Sequence, residues 1–229
     1  LNQSATNPKR SKLKLVGLIV LVVLILDQCL KIWVKTNMEY GEQFSLFGTW
    51  GFIHFVENPG MAFGISLGGK TGKLLLSLFR IAAVGLLIYY IKQLIKTGQP
   101  KGVLVCFALI LAGAIGNIID SAFYGLIFSE SAFHGGLAEA FPEAGGYASF
   151  LHGKVVDMLY FPMIDTTWPD WVPRLGGRRF QFFKPVFNIA DSAISVGIIT
   201  LLLFQRQFFN DEKQPEAATA SDSTSQEEE

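Results

Sequence analysis

The chain has 229 residues, of which half are apolar, 20 are phenylalanine and only 17% are charged, and its mean hydropathy is +0.37. Charged residues supply roughly a quarter of an ordinary soluble domain, so this balance argues against a soluble protein, and a formal net charge of zero gives no argument for a nucleic-acid partner. Cys29 and Cys106 both lie inside apolar runs, which speaks against a disulfide framework or a metal spacing.

Lys9, Arg10, Lys12 and Lys14 open the chain, followed by the first apolar stretch, residues 15–34, which begins LVGLIVLVVLIL. A basic start and an apolar run also describe a cleaved leader. Here Asp27, Gln28 and Lys31 follow with no small-residue cleavage site, so a retained first span is expected. Three further stretches approach the ~20 apolar residues that a spanning helix needs: residues 74–91, interrupted by Arg80, residues 103–119 and residues 186–204. None alternates with the period of a membrane strand, so the expected fold is an α-helical membrane protein of four spans. Lys92, Lys96 and Lys101 fill the short link between the second and third spans. By the distribution of Lys and Arg, that link and both termini are expected on the cytoplasmic side.

The other two connections then face outward. The first contains FIHFVENPGMAFGIS, where residues 52–56 have strand character and Asn58-Pro59-Gly60 is a turn signal. A small sheet on the membrane surface would account for both. The second is rich in Gly, Phe, Trp and Pro, and Trp168 and Trp171 suit the interfacial belt. Beyond Asn210 the chain turns polar and acidic, the composition of a disordered tail. The organisation expected is a basic cytoplasmic segment (1–14), a membrane domain (15–206) and an acidic cytoplasmic tail (207–229).

Ionisable groups at membrane depth cost roughly 2.5–3.5 kcal/mol each on insertion scales and are functional candidates by default. Asp27, Asp120 and Asp191 fall within or at the ends of spans, and Asp157 lies in VVDMLYF. The third and fourth spans carry matching Asn-x-x-Asp signatures, Asn117 with Asp120 and Asn188 with Asp191, each pair on one helix face. Gly113, Gly116, Ala190, Ala193 and Gly197 are small enough for close helix approach. The three histidines, at 54, 134 and 152, form no pattern with cysteine, and no serine sits in a nucleophile elbow. Carboxylates are the chemistry left. Two of them close together share one proton, and such a pair can activate water and donate to a carbonyl without metal or cofactor. On position alone, Asp120 and Asp191 are the natural pair. Bland readings stand beside these: an i,i+4 ion pair for Asp27 and Lys31, interhelical bonding for the two Asn, and snorkelling or a lipid phosphate contact for Arg80. A proton relay or a structural membrane subunit also stays open.

DQCLK (27–31), NPGMAFG (58–64), GNIID (116–120), VVDM (155–158) and FNIADSAI (187–194), in this order, resemble the bacterial lipoprotein signal peptidases, or signal peptidase II. The resemblance implies four helices with a small extracytoplasmic sheet and an outer-surface helix or loop. The implied activity is aspartic endopeptidase removal of the signal peptide from diacylglyceryl-modified prolipoproteins, just before the lipidated cysteine. The partners are then lipidated prolipoproteins and membrane lipids, and a monomer acting without metal or cofactor is expected. The motifs place catalysis on Asp157 and Asp191. Asn58, Gly60, Asn117, Asp120, Asn188 and Ala190 fall on positions that line or brace the pocket, and Asp27 and Lys31 on a supporting first-helix motif. The chain departs from the family pattern twice. Ser121 stands where the family has Arg after the third-span Asp, so Asp120 needs another counter-ion, with Lys154, Arg174, Arg178 and Arg179 as candidates. Residues 122–152 read as an inserted outer loop, either a lid, a lipid-contacting segment or inert.

Overall fold

The structure, a computed structural model, describes residues 8–59, 69–133, 136–162, 164–182 and 185–210. Gly60, His134 and the residues beyond Asn210 lie outside the described residues. A segment in hydrocarbon must satisfy its own backbone, which makes long apolar runs helical whatever their β-branched content. Helix α1 spans Pro8–Asn37, α2 Gly69–Lys96 and α3 Lys101–Ile119. At 30 residues, α1 is roughly 45 Å long, so it projects beyond a hydrocarbon layer of about 30 Å. Helical structure continues past α3 through a π-turn, Asp120–Tyr124, into α4, Gly125–Ile127. Among the described residues, three helical stretches are long and apolar enough to cross a membrane: Pro8–Asn37, Thr71–Lys96 and Lys101–Ile127. The shorter apolar helix Ile189–Phe204 belongs to α5, Ile189–Asn210.

The fourth helix thus begins later than the apolar run suggested. Val186–Phe187 form strand β6 instead. The side chain of Asn188 accepts the amide of Asp191 at 2.9 Å, an N-cap bond that starts the helix at the next residue. At its far end α5 runs to Asn210, into the first residues assigned to the tail.

The ends of the bundle are distinct. Lys12 Nζ donates to the carbonyls of Gly98 and Gln99 at 2.6 and 2.7 Å, so the start of α1 and the α2–α3 link share one end. Strands β1 (Gln43–Phe47), β2 (Gly51–Asn58), β3 (Val155–Tyr160) and β6 form an antiparallel sheet in that order. This sheet packs at the other end. Its inner face carries Ile53, Phe55, Val156 and Met158, buried with Val34 and Met38 of α1 and Tyr124 and Phe128 beyond α3. Strands β4 (Ile164–Thr167) and β5 (Arg179–Phe182) form a separate hairpin.

Helix α3 is central, and glycines bring its neighbours close. A β-carbon on Gly116 would lie 2.7 Å from Asp27 Oδ2 and 3.2 Å from the Ala190 side chain, and one on Gly197 would lie 2.7 Å from the Cys106 carbonyl oxygen. Lipid offers no hydrophobic drive for helix association, so this close backbone packing holds α1, α3 and α5 together. Apolar side chains such as Leu21, Phe79, Leu86 and Leu203 are exposed on the outside, as lipid-facing surfaces are.

The segment expected as an inserted loop from residue 122 remains helical to Ile127. Beyond Ile127 the chain folds back over that helix end. The amides of Ala148, Leu151 and Gly153 donate to the carbonyls of Gly125, Ala122 and Ser121 at 2.9, 3.4 and 2.8 Å. Carbonyls at a helix terminus lack intrahelical partners, so the insertion caps the helical end formed by the π-turn and α4.

Candidate active site

Four elements carry their polar residues to one place near the sheet end of the bundle. Helix α1 supplies Asp27, Gln28 and Lys31, α3 and its π-turn supply Asn117 and Asp120, β3 supplies Asp157, and the β6–α5 junction supplies Asn188 and Asp191. Asp27, Lys31, Asn117, Asp120, Asp157 and Asn188 are buried, and Asp191 is half-buried. Groups buried this deeply must be paired or bonded.

The inner layer is an ion cluster. Lys31 Nζ stands 2.9 Å from Asp27 Oδ2 and 2.9 Å from Asp120 Oδ2. The i,i+4 pair read from the sequence is therefore real, and it also reaches across to α3. Gln28 donates to Asp27 Oδ2 at 3.1 Å and to Asp120 Oδ1 at 2.9 Å, and receives the hydroxyl of Tyr124 at 3.1 Å. Asp27 Oδ1 accepts the amide of Ala190 at 2.9 Å, which anchors the start of α5. Asp120 Oδ2 further accepts the Val156 amide at 3.2 Å, which fixes the strand next to Asp157. The counter-ion of Asp120 is Lys31, one helix away. Lys154, a candidate from the sequence, instead meets Glu57 and Glu130 at 3.3 and 3.2 Å.

The outer layer is an amide relay between two carboxylates. Lys31 Nζ donates to Asn117 Oδ1 at 3.1 Å. A lysine can only donate, so this contact turns the Asn117 amide nitrogen outward, where it donates to Asp191 Oδ1 at 2.8 Å. Asn188 Nδ2 donates to Asp157 Oδ1 at 2.7 Å and also lies 3.2 Å from Asn117 Oδ1. Asp157 and Asp191 thus hang from one Asn117–Asn188 unit. Burial, then the charge of Asp191, pushes the Asp157 carboxyl up to about 7.

Hydropathy pointed to Asp120 as the partner of Asp191. Asp120 is instead consumed by Lys31, Gln28 and the Val156 amide, whereas Asp157 receives Asn188. Ala190 is fully buried against Gly116. Asn58 ends β2 opposite Val155, and Gly60 falls outside the described residues. Gln28 and Tyr124 are site-bracing groups that sequence reading passed over. The signal for Gln28 was present, since an amide beside an intramembrane Asp also needs partners.

The family model described as Signal peptidase (SPase) II matches residues 19–207. The chain is 54% identical over 191 residues to the lipoprotein signal peptidase of Porphyromonas gingivalis strain ATCC 33277, covering 83% of this chain and 82% of that one. The lipoprotein signal peptidase of Amoebophilus asiaticus is 40% identical over 191 residues, covering 82% and 76%. Among solved structures, a bacterial membrane enzyme determined by the in meso method at 2.3 Å resolution is 25% identical. It superposes with a TM-score of 0.57 over 88% of this chain and 93% of its own.

Proposed function

The chain belongs to the signal peptidase II family and is a membrane-associated peptidase, and from that premise we propose that Asp157 and Asp191 are its catalytic dyad, cutting diacylglyceryl-modified prolipoproteins just before the lipidated cysteine. The observation that carries this is the suspension of both carboxylates from the Asn117–Asn188 unit. The charged member of the pair takes a proton from a water molecule held between them. The water oxygen bonds to the scissile carbonyl carbon, and the neutral member donates its proton to the carbonyl oxygen. The tetrahedral diol then collapses, the carbon–nitrogen bond breaks, and the leaving amine of the lipidated cysteine takes a proton from the pair. Burial favours Asp157 as the member that begins protonated.

The distribution of Lys and Arg supports cytoplasmic termini and a site at the outer face of the bacterial inner membrane. Lys12 and the lysine-rich α2–α3 link share the end opposite the sheet, in keeping with that orientation. Asp157→Asn and Asp191→Asn should each abolish cleavage of a lipidated precursor while the protein still fractionates with membranes. Full cleavage by either variant would refute the dyad. The same assay with an unlipidated precursor should show little turnover, and chelators should leave the rate unchanged. A proton relay or structural subunit would have no such activity to lose.

A further inference from the structure

Asp27, Asp120, Asp157 and Asp191 crowd one end of the bundle, and Lys31 is the cation among them. With one proton shared by the dyad, three negative charges face one positive charge. So large an imbalance is costly in a low-dielectric setting. Among the described residues, the other lysines at this end are placed elsewhere: Lys35 and Lys154 both meet Glu57, and the charges that Lys73 senses are those of Lys154, Glu57 and Arg80.

Arg80 lies in the middle of α2, half-buried, and the carboxylate charges that act on it are those of Asp191, Asp157 and Asp120. Its Nη1 donates to Ser121 Oγ at 3.4 Å. Ser121 Oγ donates in turn to the Asn117 carbonyl at 2.9 Å, and Asn117 is the residue whose amide holds Asp191. A side chain that only snorkelled would extend along α2 toward a membrane face, whereas this one turns inward to the π-turn. We infer that Arg80 is a positioning residue of the dyad, supplying from α2 a second positive charge that reaches the site through Ser121 and Asn117.

This inference rests on the dyad reading. The groups that act on the dyad come from four sides: Lys31 and Asp27 from α1, Asp120 from the π-turn, Arg80 from α2, and each dyad carboxylate on the other. Removing the guanidinium takes away a charge that favours ionised carboxylates, so the titration of Asp157 moves to higher pH.

The test is the pH profile of kcat/KM for cleavage of a lipidated precursor peptide by the full-length enzyme in detergent, with wild type, Arg80→Met, Arg80→Lys and Asp157→Asn. The expected result for Arg80→Met is a kcat lowered about tenfold and an alkaline limb displaced upward by about one unit. Arg80→Lys should restore most of both, because a lysine keeps the charge. An Arg80→Met enzyme with the wild-type profile and rate would overturn the inference, and so would a slow enzyme whose profile does not move, which marks a packing role. Either result beside an inactive Asp157→Asn leaves the dyad intact. An active Asp157→Asn would remove the dyad reading itself.

Discussion

Asn188 Nδ2 stands 2.7 Å from Asp157 Oδ1, while the same side chain's Oδ1 accepts the Asp191 amide at 2.9 Å. One asparagine therefore does two things: it caps α5 and it bonds to a candidate catalytic carboxylate. Asn188→Ala removes both. Loss of the cap costs about 1 kcal/mol, which a membrane helix survives. Loss of the donor leaves Asp157 buried with less support for its charge, and its titration moves further up. The expected outcome is an enzyme that accumulates normally, cleaves at least tenfold more slowly and has its alkaline limb above that of wild type. Rates and pH profiles on purified protein check it.

Cleavage should be pH-dependent near neutrality. Burial and the charge of Asp191 push the Asp157 carboxyl up to about 7, so the singly protonated dyad loses its proton above that pH and kcat/KM falls. Stability carries the same signature. The folded protein holds this proton up to about pH 7, whereas an unfolded chain releases it near the ordinary carboxylate value of about 3.9. The stabilisation linked to it is complete below about pH 4 and gone once pH rises past 7. Asp157→Asn keeps the shape and abolishes the ionisation. Its Tm should exceed that of wild type at pH 8 by an amount that disappears at pH 4, worth a few kcal/mol at most. Equal Tm differences at both pH values would contradict the account.

Lys31 is fully buried between two buried carboxylates. Lys31→Met strands both of them, a loss of about 3–5 kcal/mol when one partner of a buried pair is removed. The variant should fall sharply in membrane abundance and thermal stability. Adding Asp120→Asn removes one of the stranded charges, so the double variant should be more stable than Lys31→Met alone. Measured Tm values of the two in detergent decide the matter.

The spans were legible because lipid imposes one rule, long apolar helices, and the composition obeys it. Their ends were less so. The apolar run through Val186 and Phe187 carries no mark separating a strand from a helix, and only the Asn188 cap separates them. The polar cluster was legible as a set, since Asp27, Asn117, Asp120, Asn188 and Asp191 are all out of place in hydrocarbon. Their partnerships were not. Which carboxylate Lys31 takes depends on the packing of α1 against α3, and that packing is set by Gly116, whose neighbours the sequence does not reveal. Asp157 lies on a strand outside any span, so burial could not single it out. Its family motif did.

The inserted segment is fastened by a second buried ion cluster, and this is open to test. Lys35 of α1 stands 2.5 Å from Glu57 Oε1 of β2, and Lys154 stands 3.3 Å from Glu57 Oε2. Ser131 receives Lys35 at 2.9 Å and donates to Glu57 at 3.2 Å, and Lys154 also reaches Glu130 at 3.2 Å. Glu57 thus joins α1 to Ser131 within the segment and to Lys154, just past its end and immediately before β3. Glu57→Gln leaves Lys35 buried beside a neutral amide. It should cost a few kcal/mol and raise protease cleavage between residues 128 and 154. Lys154 is partly exposed, with 27% of its side chain accessible, and solvent screens its pairs. Lys154→Met should therefore release the segment less than Glu57→Gln does. Because β3 carries Asp157 three residues beyond Lys154, both variants should lose activity in the same order as they gain protease sensitivity. A Glu57→Gln protein with wild-type resistance and rate would show that the bonds to the π-turn and α4 hold the segment without this cluster.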